Sequence, residues 1–191
     1  AGNPQPSDGD RPRPPRTAPV EEPAMTVRAV ELGGEARSPV DWASYAAVYD
    51  VMLDHNPAYH AIVERYRRFL GGLELAPGSM LVDLGAGTGN FSLAAARLHP
   101  QAAVLHVDAD AAMNERARAK LAALGLRNVE VRTGDVAALG LPSDRAAVVT
   151  AVHSLYAMPD PTDLIRRCFT WLAPGGWMFA CGPRAPLDVG D

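Results

Sequence analysis

Met80-Leu81-Val82-Asp83-Leu84-Gly85-Ala86-Gly87-Thr88-Gly89 is the stretch that decides the fold. Its first half is a short apolar run closed by glycines, which suits a β-strand buried on both faces. Its second half is a glycine loop that opens into an alanine-rich helix, Phe91–Leu98. Ala103–Val107 reads as a second strand, and Asp110 caps a helix over Ala111–Leu124 with Gly125 as its stop. Val129–Thr133 alternates as a third strand, Ala146–Val152 is a fourth, and Trp177–Cys181 is a fifth. A helix over Asp163–Leu172, ended by Pro174-Gly175-Gly176, connects the last two. Strands alternating with helices give right-handed βαβ units and a parallel sheet covered on both sides. Upstream, Asn56-Pro57 is an N-cap with proline in the first turn, followed by helical spacing from Ala58 to Leu73.

The chain has 191 residues, 48% hydrophobic and 21% charged, enough for one medium domain with a sizeable core. Lys and Arg total 18 against 22 Asp and Glu, a net charge of -4, which argues against binding nucleic acid mainly through its phosphates. Ala146–Met158, uncharged and mostly apolar, is 13 residues, short of the ~18–20 that a membrane span needs. Cys168 and Cys181 form neither a ligand cluster nor a disulfide framework, so a reducing cytoplasm is the expected location and no metal site is expected. Ala1 to Ala24 hold seven prolines interleaved with charges. The chain therefore divides into a Pro-rich tail over 1–37 expected to be disordered, an N-terminal helical cap over 38–75, and an α/β domain over 76–191.

Ligands in open α/β sheets bind outside the carboxyl ends of the strands. A dinucleotide fingerprint would need a third glycine at Asn90; the chain instead has D-x-G-x-G-x-G. A carboxylate at Asp83, two residues before the first glycine, is awkward for a pyrophosphate and natural for an ammonium or sulfonium. Asp108 follows the second strand, 23 residues after Gly85, where an acid can accept from two ribose hydroxyls. Asp135 follows the third strand and can accept from an adenine amino group. His153 is the one histidine near the presumed chemistry, a candidate general base or a structural loop residue. Tyr156 either bounds the acceptor pocket or fills the core.

The segment Tyr45–Cys181, 137 residues, resembles the class I S-adenosylmethionine-dependent methyltransferases of small-molecule type. Leu81–Gly89 is similar to their first motif, His106-Val107-Asp108-Ala109-Asp110 to their second-strand motif, and Gly134-Asp135-Val136 to the adenine-contacting one. Leu172-Ala173-Pro174-Gly175-Gly176 resembles the turn before their fifth strand, and Tyr45-Ala46-Ala47-Val48-Tyr49-Asp50 a segment that covers the cofactor. The resemblance implies a Rossmann-like, doubly wound sheet, S-adenosyl-L-methionine as cofactor and S-adenosyl-L-homocysteine as product.

It also implies roles: Asp83 orients the methionine amino group, and Gly85, Ala86 and Gly87 pass beneath the methionine moiety. Asp108 holds the ribose diol, Ala109 and Met113 pack on adenine, and Asp135 takes the adenine amine beside the Val136 amide. Ala151, expected just past the fourth strand, contacts the methionine end, while Tyr45 and Tyr49 cover the cofactor. The family sheet has seven strands; here ten residues follow the fifth, so either its edge is expected to be covered by another chain, such as a second copy, or by the N-terminal segment, or the protein is a shortened form. The implied function is methyl transfer to a small organic acceptor, without nucleic acid or membrane as partner. A catalytically inactive binding protein or partner subunit, and a non-methylating user of the same cofactor, are the alternatives.

Overall fold

The computed structural model describes residues 42–182, all within the unit Pro39–Asp191. The Pro-rich tail lies outside the described residues. Two helices come first, α1 (Trp42–Asp54) and α2 (Pro57–Gly71). The alternating part follows as β1 (Met80–Leu84), α3 (Asn90–Leu98), β2 (Ala103–Asp108), α4 (Ala111–Ala123), β3 (Val129–Thr133), β4 (Ala146–Val152), α5 (Pro161–Trp171) and β5 (Leu172–Cys181). All described strands run parallel, in the order β3-β2-β1-β4-β5. The order reverses beside β1, which puts the glycine loop at the switch point where such sheets hold ligands.

Strand alternation sorts the core into two layers. Val82, Leu84, Leu105, Val107, Val149 and Ala151 pack with Leu164, Cys168 and Trp171 of α5. On the other face Leu81, Val104, Val148 and Val152 meet Tyr66 and Leu70 of α2 and Phe91, Ala94 and Ala95 of α3. Each Val, Leu or Phe among them, fully buried, contributes about 1.5–3 kcal/mol. The second face also carries three polar residues in one row across the sheet. Asp83 of β1 is the register partner of His106 on β2 and of Thr150 on β4, and all three are buried. The Thr150 hydroxyl is satisfied by the Tyr66 hydroxyl at 3.0 Å.

The end of the chain departs from the sequence reading. The expected helix over Asp163–Leu172 starts earlier, because Asp160 accepts the Asp163 N–H at 2.8 Å and Pro161 opens the first turn. It stops at Trp171, where Leu172 turns extended and pairs with Ala146. Strand β5 therefore begins at Leu172 rather than Trp177; the glycine-rich residues before Trp177 are accommodated as a register shift against β4. Ala151 is a second correction. It lies inside β4, paired with Ala180 and fully buried against α5, not past the strand end. Among the described residues β5 has a strand on one side only, and Trp177 on it is 54% exposed.

Candidate cofactor site

The loops after β1, β2, β3 and β4 converge on a cavity of about 450 Å³, which Tyr49 of α1 and Tyr59 of α2 also line. Asp83, Gly85, Ala86, Gly87, Asp108, Ala109, Met113, Asp135, Val136, His153 and Tyr156 all line it. Two expected contacts do not. Val152 takes the lining place expected of Ala151, and Tyr45 is absent from the lining but packs against Tyr49, with their rings edge-to-face at 5.3 Å.

The glycine loop is bent by need. Gly85 has φ +61°, and a Cβ there would come within 2.5 Å of the Ser154 Cβ. Gly89 caps α3 at φ +85°, where a Cβ would press on Ala117 of α4 at 3.1 Å. Asp108 ties the loop down: one oxygen accepts the Gly87 N–H at 2.7 Å and the other the Asp110 N–H at 2.9 Å. Burial raises the Asp108 carboxyl above its ordinary value, and these two N–H groups oppose the rise. Asp110 accepts the Met113 N–H at 2.8 Å, confirming it as a helix cap, though it also lines the cavity. Asp135 accepts the Ala137 N–H at 2.8 Å at the head of a short 3₁₀ turn that buries Val136.

His153 has φ +52°, a left-handed conformation uncommon outside glycine, and its N–H donates to the Cys181 carbonyl at 2.8 Å. Tyr156 is 58% exposed at the rim, so it does not fill the core. Burial pushes the Tyr49 hydroxyl up to about 12, so it is a neutral donor at physiological pH.

Several residues escaped the sequence reading. Asp50 accepts from Thr88 at 2.6 Å, from Asn90 at 3.3 Å and from Lys120 at 3.0 Å, which fastens α1 to the glycine loop and to α4. Burial pushes Asp50 up, but the Thr88 and Lys120 hydrogen bonds outweigh it and leave its carboxyl below the ordinary value. Ser154 lines the cavity with a buried hydroxyl that has no partner among the described residues. Beneath Asp83 runs a buried chain of side chains. Ser92 Oγ lies 2.6 Å from Asp83 Oδ2 and 2.9 Å from His106 Nδ1, and His106 Nε2 lies 2.9 Å from Asn114 Oδ1. The signal for this chain was polar residues at inward positions, Asp83 and His106 on apolar strands and Ser92 and Asn114 on the buried faces of α3 and α4.

Residues 81–176 match the family described as a methyltransferase domain. The chain belongs to that family. This methyltransferase-domain chain is 29% identical over 145 residues to the carboxy-S-adenosyl-L-methionine synthase of Dichelobacter nodosus, covering 75% of this chain and 61% of the relative. It is 33% identical over 130 residues to the trans-aconitate 2-methyltransferase of Methylobacterium radiotolerans, covering 65% and 48%. Among solved structures, a SAM-dependent methyltransferase from Aquifex aeolicus superposes with a TM-score of 0.61 at 18% identity, over 78% of this chain and 77% of that one. That likeness establishes the shared fold. The chain spans about half to three fifths of the length of these curated relatives.

Proposed function

We propose that this chain binds S-adenosylmethionine and transfers its methyl group to a small organic nucleophile. One observation carries the reading: Asp83, Asp108, Asp110 and Asp135 line the cavity, and no lysine or arginine does among the described residues. A pyrophosphate would find four acidic side chains and no cation to balance its charge, whereas a cationic amino acid joined to a ribose and an adenine is matched by them. The cavity fits such a ligand in size, inside the range of about 300–1,000 Å³ for small-molecule sites. The unpartnered Ser154 hydroxyl also supports a polar occupant.

When bound, the cofactor supplies a methyl group on a positively charged sulfur. In this reading Asp83 holds the amino group, and Gly85, Ala86 and Gly87 let the methionine moiety approach the backbone. Asp108 accepts from the ribose hydroxyls, since each of its oxygens keeps a lone pair after its backbone N–H contact. Ala109 and Met113 pack on adenine, with Asp135 and the Val136 N–H at its polar edge. Tyr49 walls off solvent and Tyr45 braces it. His153 and Tyr156 stand where the acceptor enters, and His153 is the candidate base. Methyl transfer needs chiefly close, collinear alignment with water excluded, so no further catalytic group is required when the acceptor is itself a good nucleophile.

Nucleic acid is not among the proposed acceptors, and the free thiols of Cys168 and Cys181 support a cytoplasmic location. Pairing of a second copy along β5 is the proposed assembly, supported by the exposed Trp177. The test is transfer of labelled methyl from S-adenosylmethionine to a panel of amines, phenols and carboxylic acids. Labelled product with stoichiometric S-adenosylhomocysteine supports the reading; no product with any acceptor leaves a binding protein. A second reading, modification of the cofactor without methyl transfer, is favoured by the 29% identical carboxy-S-adenosyl-L-methionine synthase. Mass spectrometry of the spent cofactor separates the two.

A further inference from the structure

The side chains beneath Asp83 raise a question of proton count. Asn114 Nδ2 donates to the Asp108 carbonyl and to Thr133 Oγ1, each at 3.0 Å. A carbonyl only accepts, so the Asn114 amide is oriented with Oδ1 toward His106. His106 Nε2 must therefore donate to it, which uses the single proton of a neutral imidazole. Two short contacts remain, Asp83 to Ser92 and Ser92 to His106 Nδ1, and each needs a proton. Ser92 supplies one. The other belongs either to Asp83 as a carboxylic acid or to His106 as an imidazolium.

The surroundings decide between them. Asp83 is 3% exposed and His106 fully buried. Facing the pair from α2 are the phenols of Tyr59 and Tyr66, both pushed up by burial and neutral. From β2 the Asp108 carboxylate opposes ionisation of Asp83, and from α4 Arg118 and Lys120 oppose a cationic His106. Thr150 on β4 and Asn114 on α4 add no charge. Burial, with these charges, pushes Asp83 up to about 7 and His106 down to about 4. With a neutral acid the donors run without a break from Asp83 to Ser92 to His106 to Asn114. With a carboxylate, Asp83 and His106 Nδ1 compete for one hydroxyl proton.

We infer that the ligand-free protein holds Asp83 as the neutral acid, kept so by its burial beside the Asp108 carboxylate and joined through Ser92 to His106, and that a ligand ammonium displaces this proton into solvent on binding. This rests on the cofactor reading above. Ser92 and His106 act as positioning residues: the hydrogen bonds that run through Ser92 set the pH at which affinity for the amino-acid end of the ligand changes. The O–H bond of Asp83 breaks, the proton goes to buffer, and the carboxylate then accepts from the ammonium.

Two measurements test it. In the free full chain at pH 6, carbon NMR of the carboxyls is expected to show one protonated Asp, absent in Asp83→Asn, while nitrogen NMR shows His106 neutral with its proton on Nε2. A fully ionised set of carboxyls, or an imidazolium at His106, overturns the inference whatever the ligand. Calorimetric titration with S-adenosylhomocysteine in buffers of differing ionisation enthalpy is expected to show release of nearly one proton at pH 6 and little at pH 8. Affinity rises about tenfold on the way, one decade for each pH unit traversed below Asp83's titration at about 7. Binding without proton release at pH 6 refutes the displacement. Absence of binding by the folded chain at both pH values refutes the cofactor reading instead. Ser92→Ala, which removes the donor that favours the carboxylate, is expected to move the affinity midpoint to higher pH; an unmoved midpoint removes Ser92 from the device.

Discussion

Replacing Asp83 by asparagine separates two titrations that the intact protein superimposes. Asp83 binds its proton more tightly folded than unfolded, so its contribution to stability is complete below the ordinary 3.8 and is lost as pH rises through about 7. His106 behaves oppositely: its contribution is complete above 6.5 and is lost as pH falls through about 4. At about 1.4 kcal/mol per pH unit, the first is worth roughly 4 kcal/mol across its window and the second roughly 3 kcal/mol. Between pH 4 and 6.5 the folded pair and the unfolded pair each carry one proton, so their effects nearly cancel in the wild type.

The Asp83→Asn amide can donate to Ser92 as the acid does, so packing is kept while the titration is removed. Urea unfolding followed by tryptophan fluorescence, from pH 7.5 to 5, is the assay. Wild-type stability minus that of the variant is expected to grow by about 3 kcal/mol as pH falls through that range. A difference constant to within about 1 kcal/mol, or one that shrinks toward acid as for an ordinary ion-paired carboxylate, would refute the reasoning.

Gly85→Ala places a Cβ 2.5 Å from Ser154 on a backbone at φ +61°, so the loop after β4 must shift. Strain of about 1–2 kcal/mol is expected in thermal unfolding, with loss of ligand binding that Ser154→Gly partly restores; unaltered binding in the single variant would contradict the close approach. Tyr66→Phe removes the buried partner of Thr150, held at 3.0 Å and not part of the cavity lining. A loss of about 1–2 kcal/mol in urea unfolding with unchanged ligand affinity is expected, and Thr150→Val in the same background is expected to recover part of it.

The repeating architecture was legible because apolar runs such as Met80–Leu84 and Ala146–Val152 coincide with the strands observed. The acids near the strand ends were legible as well, since Asp83, Asp108 and Asp135 all line the cavity. What escaped depends on the third dimension. Leu172 pairs with Ala146 ahead of a glycine-rich irregularity, so a turn signal hid the start of a strand. Ala151 faces α5, but β4 is apolar throughout and irregular near its start, so no polar alternation in the sequence shows which way each of its residues points. Ser92, His106 and Asn114 come from three separate elements and meet Asp83 only through the parallel register of β1 and β2. Asp50 and Lys120 are 70 residues apart, a pairing no local pattern announces.

The most direct measurement is calorimetric titration of the folded chain with S-adenosylmethionine, S-adenosylhomocysteine and NADH, repeated on Asp108→Ala. Removing Asp108 deprives the Gly87 and Asp110 N–H groups of their acceptor as well as the ribose of its partner. Binding of both adenosyl ligands, no binding of NADH, and a loss of at least about tenfold in Asp108→Ala are expected, as charge-assisted hydrogen bonds of about 1.5–3 kcal/mol require. Equal affinity in Asp108→Ala, or a preference for NADH, would contradict the assignment of this cavity.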